Sequence, residues 1–463
     1  MAKPHVLLMP GPAQGHVVPM MELAQRLVKK GVKITFINTD FTHEAVTKNW
    51  FEKHGTCDDV LQMVSLPDGL EPGEDRNEFG KLMLSLQRFT STKLNELIET
   101  INKDEDNKIT CVIADCWMGW AIRVAKKMGI RGVAFCPAST ATLATMMSVK
   151  QLIDDGIINN NGTPRNSELI LLSETMPPIK PENLIWGCIG DSTDTKVHFE
   201  ITVETMEAVR MTDWILCNSA VELELAAFGM FPQLVPIGPL LASNRLADQE
   251  GQFWQEDSSC LEWLDKQPPC SVIYVAFGSI ANINPTQFQK LAIGLEHSNR
   301  PFLWVVWPST TKETTNGYLN CYMDRVGSRG KIVSWAPQQK VLAHFSVACF
   351  MTHCGWNSTI EGVTNGVPFL CWPCFADQFY NETYICDIWK TGLGLTKDEA
   401  GIITRDEIAS KVEQLLRDTK FKSKALDIKQ KVATSVTKGG CSHENLSKFS
   451  EWIHNTDSNA KDQ

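Results

Sequence analysis

At 463 residues the chain is too long for one compact core, and its length suits two large domains best. Its 44 basic and 54 acidic side chains leave a formal charge of −10, which argues against a polyanion-binding surface, so no nucleic-acid partner is expected. Fifteen cysteines, an odd number scattered along the chain, do not form the dense framework of a secreted scaffold and read as reduced thiols.

The start, MAKPHVLLMP, has too short an apolar run for a signal peptide. No later segment approaches the roughly 18 uncharged apolar residues of a membrane span. A cytoplasmic protein without an integral membrane segment is therefore expected. The N-x-S/T triplets at Asn161, Asn357, Asn381 and Asn445 then lack the secretory route that would give them meaning.

From the first apolar run, His5 to Met9, the chain passes through GPAQGHVVPM into MELAQRLVKK, which has the spacing of an amphipathic helix. VKITFINT, CVIADC, GVAFCP and WILCNS follow as short β-rich runs separated by helical patterns, the signature of βαβ units and a parallel sheet. After IGPL, Ile237 to Leu240, the polar stretch ASNRLADQEGQFWQEDSS reads as a linker. A second series then runs through SVIYVAFGS, PFLWVVW, KIVSWAP, VACFMTH and VPFLCWP. The pattern predicts an α/β protein of two doubly wound, parallel-sheet domains facing each other across a cleft. Their expected bounds are 1–245 and 256–440, with a linker over 246–255. Residues 441–463 hold a last amphipathic helix, ENLSKFSEWI, able to pack back on the first domain, and a frayed tail.

In such sheets ligands bind beyond the carboxyl ends of the strands. His16 follows the first strand there, and Asp115 ends the run CVIA on the same rim. Alone, His16 reads as a cap or packed side chain and Asp115 as a helix cap. Together they can act as a base and its orienter, since a carboxylate on one imidazole nitrogen fixes the tautomer and strengthens the other nitrogen as a base. The chain has no G-x-S-x-G nucleophile elbow, so the substrate is expected to supply the attacking hydroxyl.

In the second domain the strand VACFMTH ends at His353, and HCGWNS leads straight into the helix STIEGVTNG. Gly355 permits close backbone approach, and the free N–H groups and positive end of the helix suit a diphosphate. Gly278 and Ser279 after another strand offer further donors. Glu361, one turn into the helix, can grip a ribose diol, and Trp335 offers a flat face to a base.

The 44 residues from Trp335 to Gln378 resemble the plant secondary product glycosyltransferase box of the family 1 UDP-sugar-dependent glycosyltransferases, through W-A-P-Q, H-C-G-W-N-S, the following glutamate and the closing D-Q. GHVVPM, CNSAVELE, IGPL, VIYVAFGS and FLWVV extend the resemblance along nearly the whole chain. It implies the GT-B fold, two facing Rossmann-like domains, with the acceptor bound mainly by the first and the donor mainly by the second. It further implies that Trp335 stacks on uracil, with Ala336 and Gln338 nearby. His353, Asn357 and Ser358 hold the diphosphate with Ser279, Glu361 holds the ribose, and Trp356, Asp377 and Gln378 contact the sugar. His16 and Asp115 match the family's base and its partner. Two positions depart from common family patterns: Trp307 where relatives often carry arginine, and Pro137 where many carry a sugar-contacting threonine, for which Ser139 or Thr140 can substitute.

No metal and no resident cofactor are implied. The D-x-D pattern Asp104-Glu105-Asp106 precedes its strand and so lies at the wrong end of the sheet. Cys371-Trp-Pro-Cys374 has redox spacing without a helix beginning inside it. No G-x-G-x-x-G follows a strand, which counts against a nicotinamide enzyme. The expectation is a monomeric, inverting glucosyltransferase of plant secondary metabolism, using UDP-glucose as co-substrate and a small lipophilic hydroxylated acceptor of phenolic or flavonoid type. Its rivals are attack by carbon, nitrogen or carboxylate oxygen on the same donor, and a catalytically weak UDP-sugar-binding protein.

Overall fold

The computed structural model describes residues 3–54, 60–189, 195–243, 253–254, 256–279, 283–306 and 313–455. The expected linker over 246–255 falls, except for Phe253 and Trp254, outside the described residues, as does Trp307. The chain divides into two compact units. The first takes in the described residues of Met1–Leu241, Gln249–Phe253 and Ser435–Gln463, and the second those of Ala242–Asp248 and Trp254–Thr434.

The first unit is built on seven strands: β1 His5–Met9, β2 Lys33–Thr39, β3 Leu61–Leu66, β4 Ile109–Asp115, β5 Arg131–Cys136, β6 Trp214–Cys217 and β7 Leu234–Pro236. They pair in parallel in the order β3-β2-β1-β4-β5-β6-β7. Because parallel neighbours need crossovers, helices cover both faces, and the central strands are buried along nearly their whole length instead of alternating; all five residues of β1 are buried. The path reverses between β1 and β4, where Met9 lies opposite Ala114. Strand ends diverge at such a reversal, and a side chain from each reaches the same space.

Helix Gln14–Lys29 follows β1 and turns Val17, Met20, Met21, Ala24 and Leu27 inward, the spacing of one helical face. The last helix, Cys441–His454, also belongs to this unit: Phe449 and Ile453 are fully buried in the core that holds Leu216, Ile237 and Leu240. Arg131 fixes its end. The guanidinium donates to the carbonyls of Trp452 at 2.9 Å, Ile453 at 3.0 Å and Asn455 at 3.2 Å, and lies 4.3 Å from the Trp452 ring centroid. A cation thus meets the carbonyls that a helix end leaves without intrahelical partners.

The second unit carries β8 Val272–Ala276, β9 Phe302–Val305, β10 Gly330–Val333, β11 Val347–Thr352, β12 Phe369–Cys371 and β13 Gly392–Gly394. They too are parallel, in the order β10-β9-β8-β11-β12-β13. The reversal falls between β8 and β11. Helix Trp356–Asn365 follows β11 and ends on Gly366 at φ 67°, with Val367 N–H returning to the Gly362 carbonyl at 3.0 Å. That is a left-handed cap only glycine adopts at low cost. Among the described residues no helix is long and apolar enough to cross a membrane.

Candidate active site

In the first unit the reversal brings the expected pair together. His16 lies in the first turn of helix Gln14–Lys29 and Asp115 is the last residue of β4. His16 Nδ1 stands 2.6 Å from Asp115 Oδ2, with the imidazole 28% exposed and the carboxylate fully buried. A carboxylate can only accept here, so Nδ1 carries the proton and Nε2 is the basic nitrogen. Asp115 does not cap a helix: its Oδ1 accepts the Trp117 N–H at 2.9 Å, two residues before helix Gly119–Lys127 begins. Its Oδ2 also receives the Gly11 N–H at 3.4 Å. These donors hold the carboxylate in one orientation and compensate for its burial.

Beside β4, the end of β5 leads through Pro137 to helix Thr140–Met147. Ser139 is fully buried; its Oγ accepts the Thr142 N–H at 3.2 Å as a helix cap and donates to the Thr142 hydroxyl at 2.7 Å. Thr140 is also fully buried. Glu224, which sequence reasoning passed over, accepts the Thr140 and Ala141 N–H groups at 2.9 and 2.8 Å and the Ser219 hydroxyl at 2.5 Å. Burial pushes its carboxyl up from the ordinary glutamate value, against those bonds. It anchors the segment that follows β5.

In the second unit the ends of β8 and β11 form a different surface. Gly278 adopts φ 70° beside half-buried Ser279, and His353 follows β11 directly. A Cβ on Gly278 would fall 2.8 Å from His353 Nε2, and one on Gly355 would fall 2.5 Å from it. The glycines therefore make room for an imidazole pressed between two stretches of bare backbone. Burial pushes the His353 pKa down to about 4, so at neutral pH the ring is an uncharged donor and acceptor. Gly355 begins helix Trp356–Asn365, whose first turn holds Trp356, Asn357 and Ser358. Neutral imidazole, hydroxyls and first-turn N–H groups are the kind of donors that can meet an anion.

The remaining box residues are tied to that helix. Gln338, at the start of helix Gln338–Ala343, accepts the Tyr274 hydroxyl at 2.9 Å and donates to Ser358 Oγ at 2.9 Å and to the Glu361 carboxylate. Glu361 is 4% exposed, so Gln338 helps set the direction of a largely buried carboxylate. Tyr274, buried in β8 and stacked on Phe350 with centroids 5.0 Å apart, supports Gln338 from below; nothing in its strand context singled it out. Trp335 is half-buried, its carbonyl accepting the Asp257 N–H at 2.9 Å, and the next residue, Ala336, is buried.

Trp356 is 4% exposed, with its ring 6.3 Å from that of Trp389, so its indole is a packing group and its backbone is what the first turn presents. Asp377 precedes helix Gln378–Thr383, and Gln378 Oε1 accepts the Cys374 and Phe375 N–H groups at 2.8 and 3.1 Å. That leaves its amide nitrogen as the group able to donate outward.

The two signals set aside in the sequence are accounted for. Asp104 accepts the Asp106 N–H at 3.2 Å in an exposed turn before β4, and Glu105 pairs with Lys108 at 2.6 Å. Cys371 ends β12, and the described cysteines are all free thiols. Asn381, in one of the N-x-S/T triplets, is fully buried.

Two parallel Rossmann-like units, one with an imidazole–carboxylate pair and one with a glycine-flanked imidazole before a helix at the matching reversal, have the architecture of the GT-B class of sugar-nucleotide transferases. The chain belongs to the plant UDP-glycosyltransferase family and is a glycosyltransferase that uses a UDP-sugar. Residues 251–431 match the family described as UDP-glucoronosyl and UDP-glucosyl transferase. The chain is 44% identical over 462 residues to UDP-glycosyltransferase 83A1 of Arabidopsis thaliana, covering 98% of this chain and 97% of that one. It is 31% identical over 470 residues to 7-deoxyloganetin glucosyltransferase of Catharanthus roseus, covering 96% of each. Among solved structures it resembles Os79 from O. sativa in complex with UDP, at a TM-score of 0.81 and 26% identity over 97% of this chain and all of that one. A UDP-glucosyltransferase from Polygonum tinctorium capable of glucosylating indoxyl gives 0.83 and 26% over 97% and 98% of the two chains.

Proposed function

We propose that the protein is an inverting, metal-independent O-glucosyltransferase that moves glucose from UDP-glucose to a hydroxyl of a small lipophilic acceptor. The observation that carries this reading is the 2.6 Å contact of His16 Nδ1 with the buried Asp115 carboxylate. His16 Nε2 takes the acceptor proton while the acceptor oxygen attacks the anomeric carbon. Asp115 supports the imidazolium that forms, and UDP leaves from the opposite face. General-base assistance is worth about 10²–10⁴-fold, and an alcohol needs it more than an acidic phenol does.

In this reading Trp335 stacks on the uracil beside Ala336, Gln338 orients Glu361 toward the ribose, and Ser279, His353, Asn357 and Ser358 take the diphosphate. Trp356 contributes through its backbone, and Asp377 and Gln378 contact the sugar. The charge that develops on the leaving diphosphate meets N–H and hydroxyl donors and the positive end of a helix. Among the described residues no group of three or more His, Cys, Asp or Glu is arranged to hold a metal ion. Glucose as the sugar is supported by the glucosyltransferase names of the Catharanthus and Polygonum relatives. A phenolic or flavonoid acceptor, a monomeric state and a cytoplasmic location complete the proposal.

The test is mass spectrometry of products formed from UDP-glucose with a mixed library of phenolic, terpenoid and carboxylic acceptors, with UDP release followed in parallel. A hexose adduct that survives base and is cleaved by acid is the expected product. Release of no UDP with any acceptor would leave only a binder, and an acid-resistant adduct would mean a carbon link.

A further inference from the structure

Two loops of the second unit leave neighbouring strand ends. Cys354 follows β11 at φ 66°, and Ala376 follows β12 at φ 56°. Neither is glycine, so each backbone sits in a region that L side chains rarely adopt and must be held there by its surroundings. One side chain reaches both loops. Asn381 Nδ2 donates to the Cys354 carbonyl at 2.9 Å and to Asp377 Oδ2 at 2.9 Å. Both partners are acceptors, which fixes the orientation of the amide. Asn381 is fully buried, and its Oδ1 has no hydrogen-bond partner. A buried carbonyl oxygen left unpaired is a cost, so the side chain is held in place for its NH₂ group.

Asp377 supports the same conclusion. An aspartate just before a helix ordinarily accepts a first-turn N–H, yet Asp377 makes no such bond to helix Gln378–Thr383. Its carboxylate is turned to Asn381 instead. We propose that Asn381 is a positioning residue: through one amide group it sets the Asp377 carboxylate against the loop that opens helix Trp356–Asn365, so that sugar and diphosphate are met in a single geometry. This rests on the reading of Asp377 as a sugar contact.

Calorimetry of UDP-glucose without acceptor, and of UDP, tests it on the full chain and on Asp377→Ala, Asn381→Ala, the double variant and the isosteric Asn381→Asp. The readout is the ratio of the UDP-glucose dissociation constant to that of UDP, and UDP binding serves as the folding control. Losing a hydrogen bond to a charged group is expected to raise the ratio about tenfold in Asp377→Ala. Asn381→Ala is expected to raise it by about threefold or more, with UDP affinity nearly unchanged, and the double variant to be no worse than Asp377→Ala. Asn381→Asp puts a third acceptor against two others and should raise the ratio even if the alanine variant fails to fold. Additive effects, or an unchanged ratio in either Asn381 variant while Asp377→Ala shifts it, would overturn the inference. An unchanged ratio in Asp377→Ala itself would instead remove the sugar-contact reading on which it stands.

Discussion

Both sheets place chemistry at the same address, the carboxyl ends of the strands flanking the reversal, and both put a histidine there. The two imidazoles are in opposite situations. His16 sits 2.6 Å from a buried carboxylate and is 28% exposed, with a charged acceptor on its Nδ1. His353 lies between Gly278 and Gly355, and burial lowers its pKa to about 4. Topology supplies the place; the immediate neighbours decide whether an imidazole there stands against a carboxylate or between two stretches of bare backbone.

The largest expected effect breaks the first half of this comparison. His16→Ala should lower kcat/KM on an alcohol acceptor by about 10²–10⁴-fold. UDP affinity, measured by calorimetry, should stay within about twofold, because the candidate donor residues belong to the other unit. Asp115→Asn keeps an oxygen for the Trp117 N–H but removes the charge behind the imidazolium. A hydrogen bond to a charged group is worth about 1.5–3 kcal/mol, so about a tenfold to hundredfold loss is expected on the alcohol, and less on an acidic phenol. Near wild-type rates for His16→Ala on the alcohol would return that histidine to a packing role.

The comparison also marks what could be read without coordinates. Strand, turn and helix follow from short apolar runs and amphipathic spacing, and a parallel sheet with one reversal is the simplest arrangement of such units, so His16 and Asp115 could be placed on one rim from sequence. The box from Trp335 to Gln378 was legible because its residue types and spacing are so specific. What escaped were contacts that depend on side chains meeting across distant segments. Tyr274 reaches Gln338 over 64 positions and Glu224 reaches Thr140 over 84. The expected sugar contact at Trp356 did not say which atoms would face the sugar; its indole is buried, because the first turn of a helix behind a fully buried strand has an inner face as well as an outer one. The left-handed backbones of Cys354 and Ala376 carry no sequence signal, since neither residue type favours them.

Two variants sharpen the second half. Trp335→Ala should weaken UDP by about 1–3 kcal/mol, the usual value of stacking one base on an aromatic face, and an unchanged dissociation constant in a folded variant would make the half-buried indole a packing group. Gly355→Ala introduces one methyl group 2.5 Å from His353 Nε2 on a backbone, φ −59°, that alanine adopts without strain. The imidazole has to move, and overpacking of this kind costs about 1–3 kcal/mol, which predicts about tenfold weaker UDP binding. Binding as tight as wild type would mean that His353 does not need its present position to meet the diphosphate.

The smallest expected effect is also the most discriminating. UDP-glucose carries a diphosphate with no titrating oxygen near neutrality, so any pH dependence of its binding comes from the protein. A diphosphate favours a protonated His353, and binding would therefore tighten as pH falls through the pKa of the bound state. With the free value at about 4, the ligand would have to raise it by two pH units, about 2.7 kcal/mol of added attraction, before any tightening appeared at pH 6. The dissociation constant measured by calorimetry should therefore vary by less than about twofold between pH 6 and 8. If UDP-glucose binding instead tightens steadily from pH 8 to 6 in wild type and not in His353→Gln, His353 is a cation in the complex, and the contrast between the two histidines is lost.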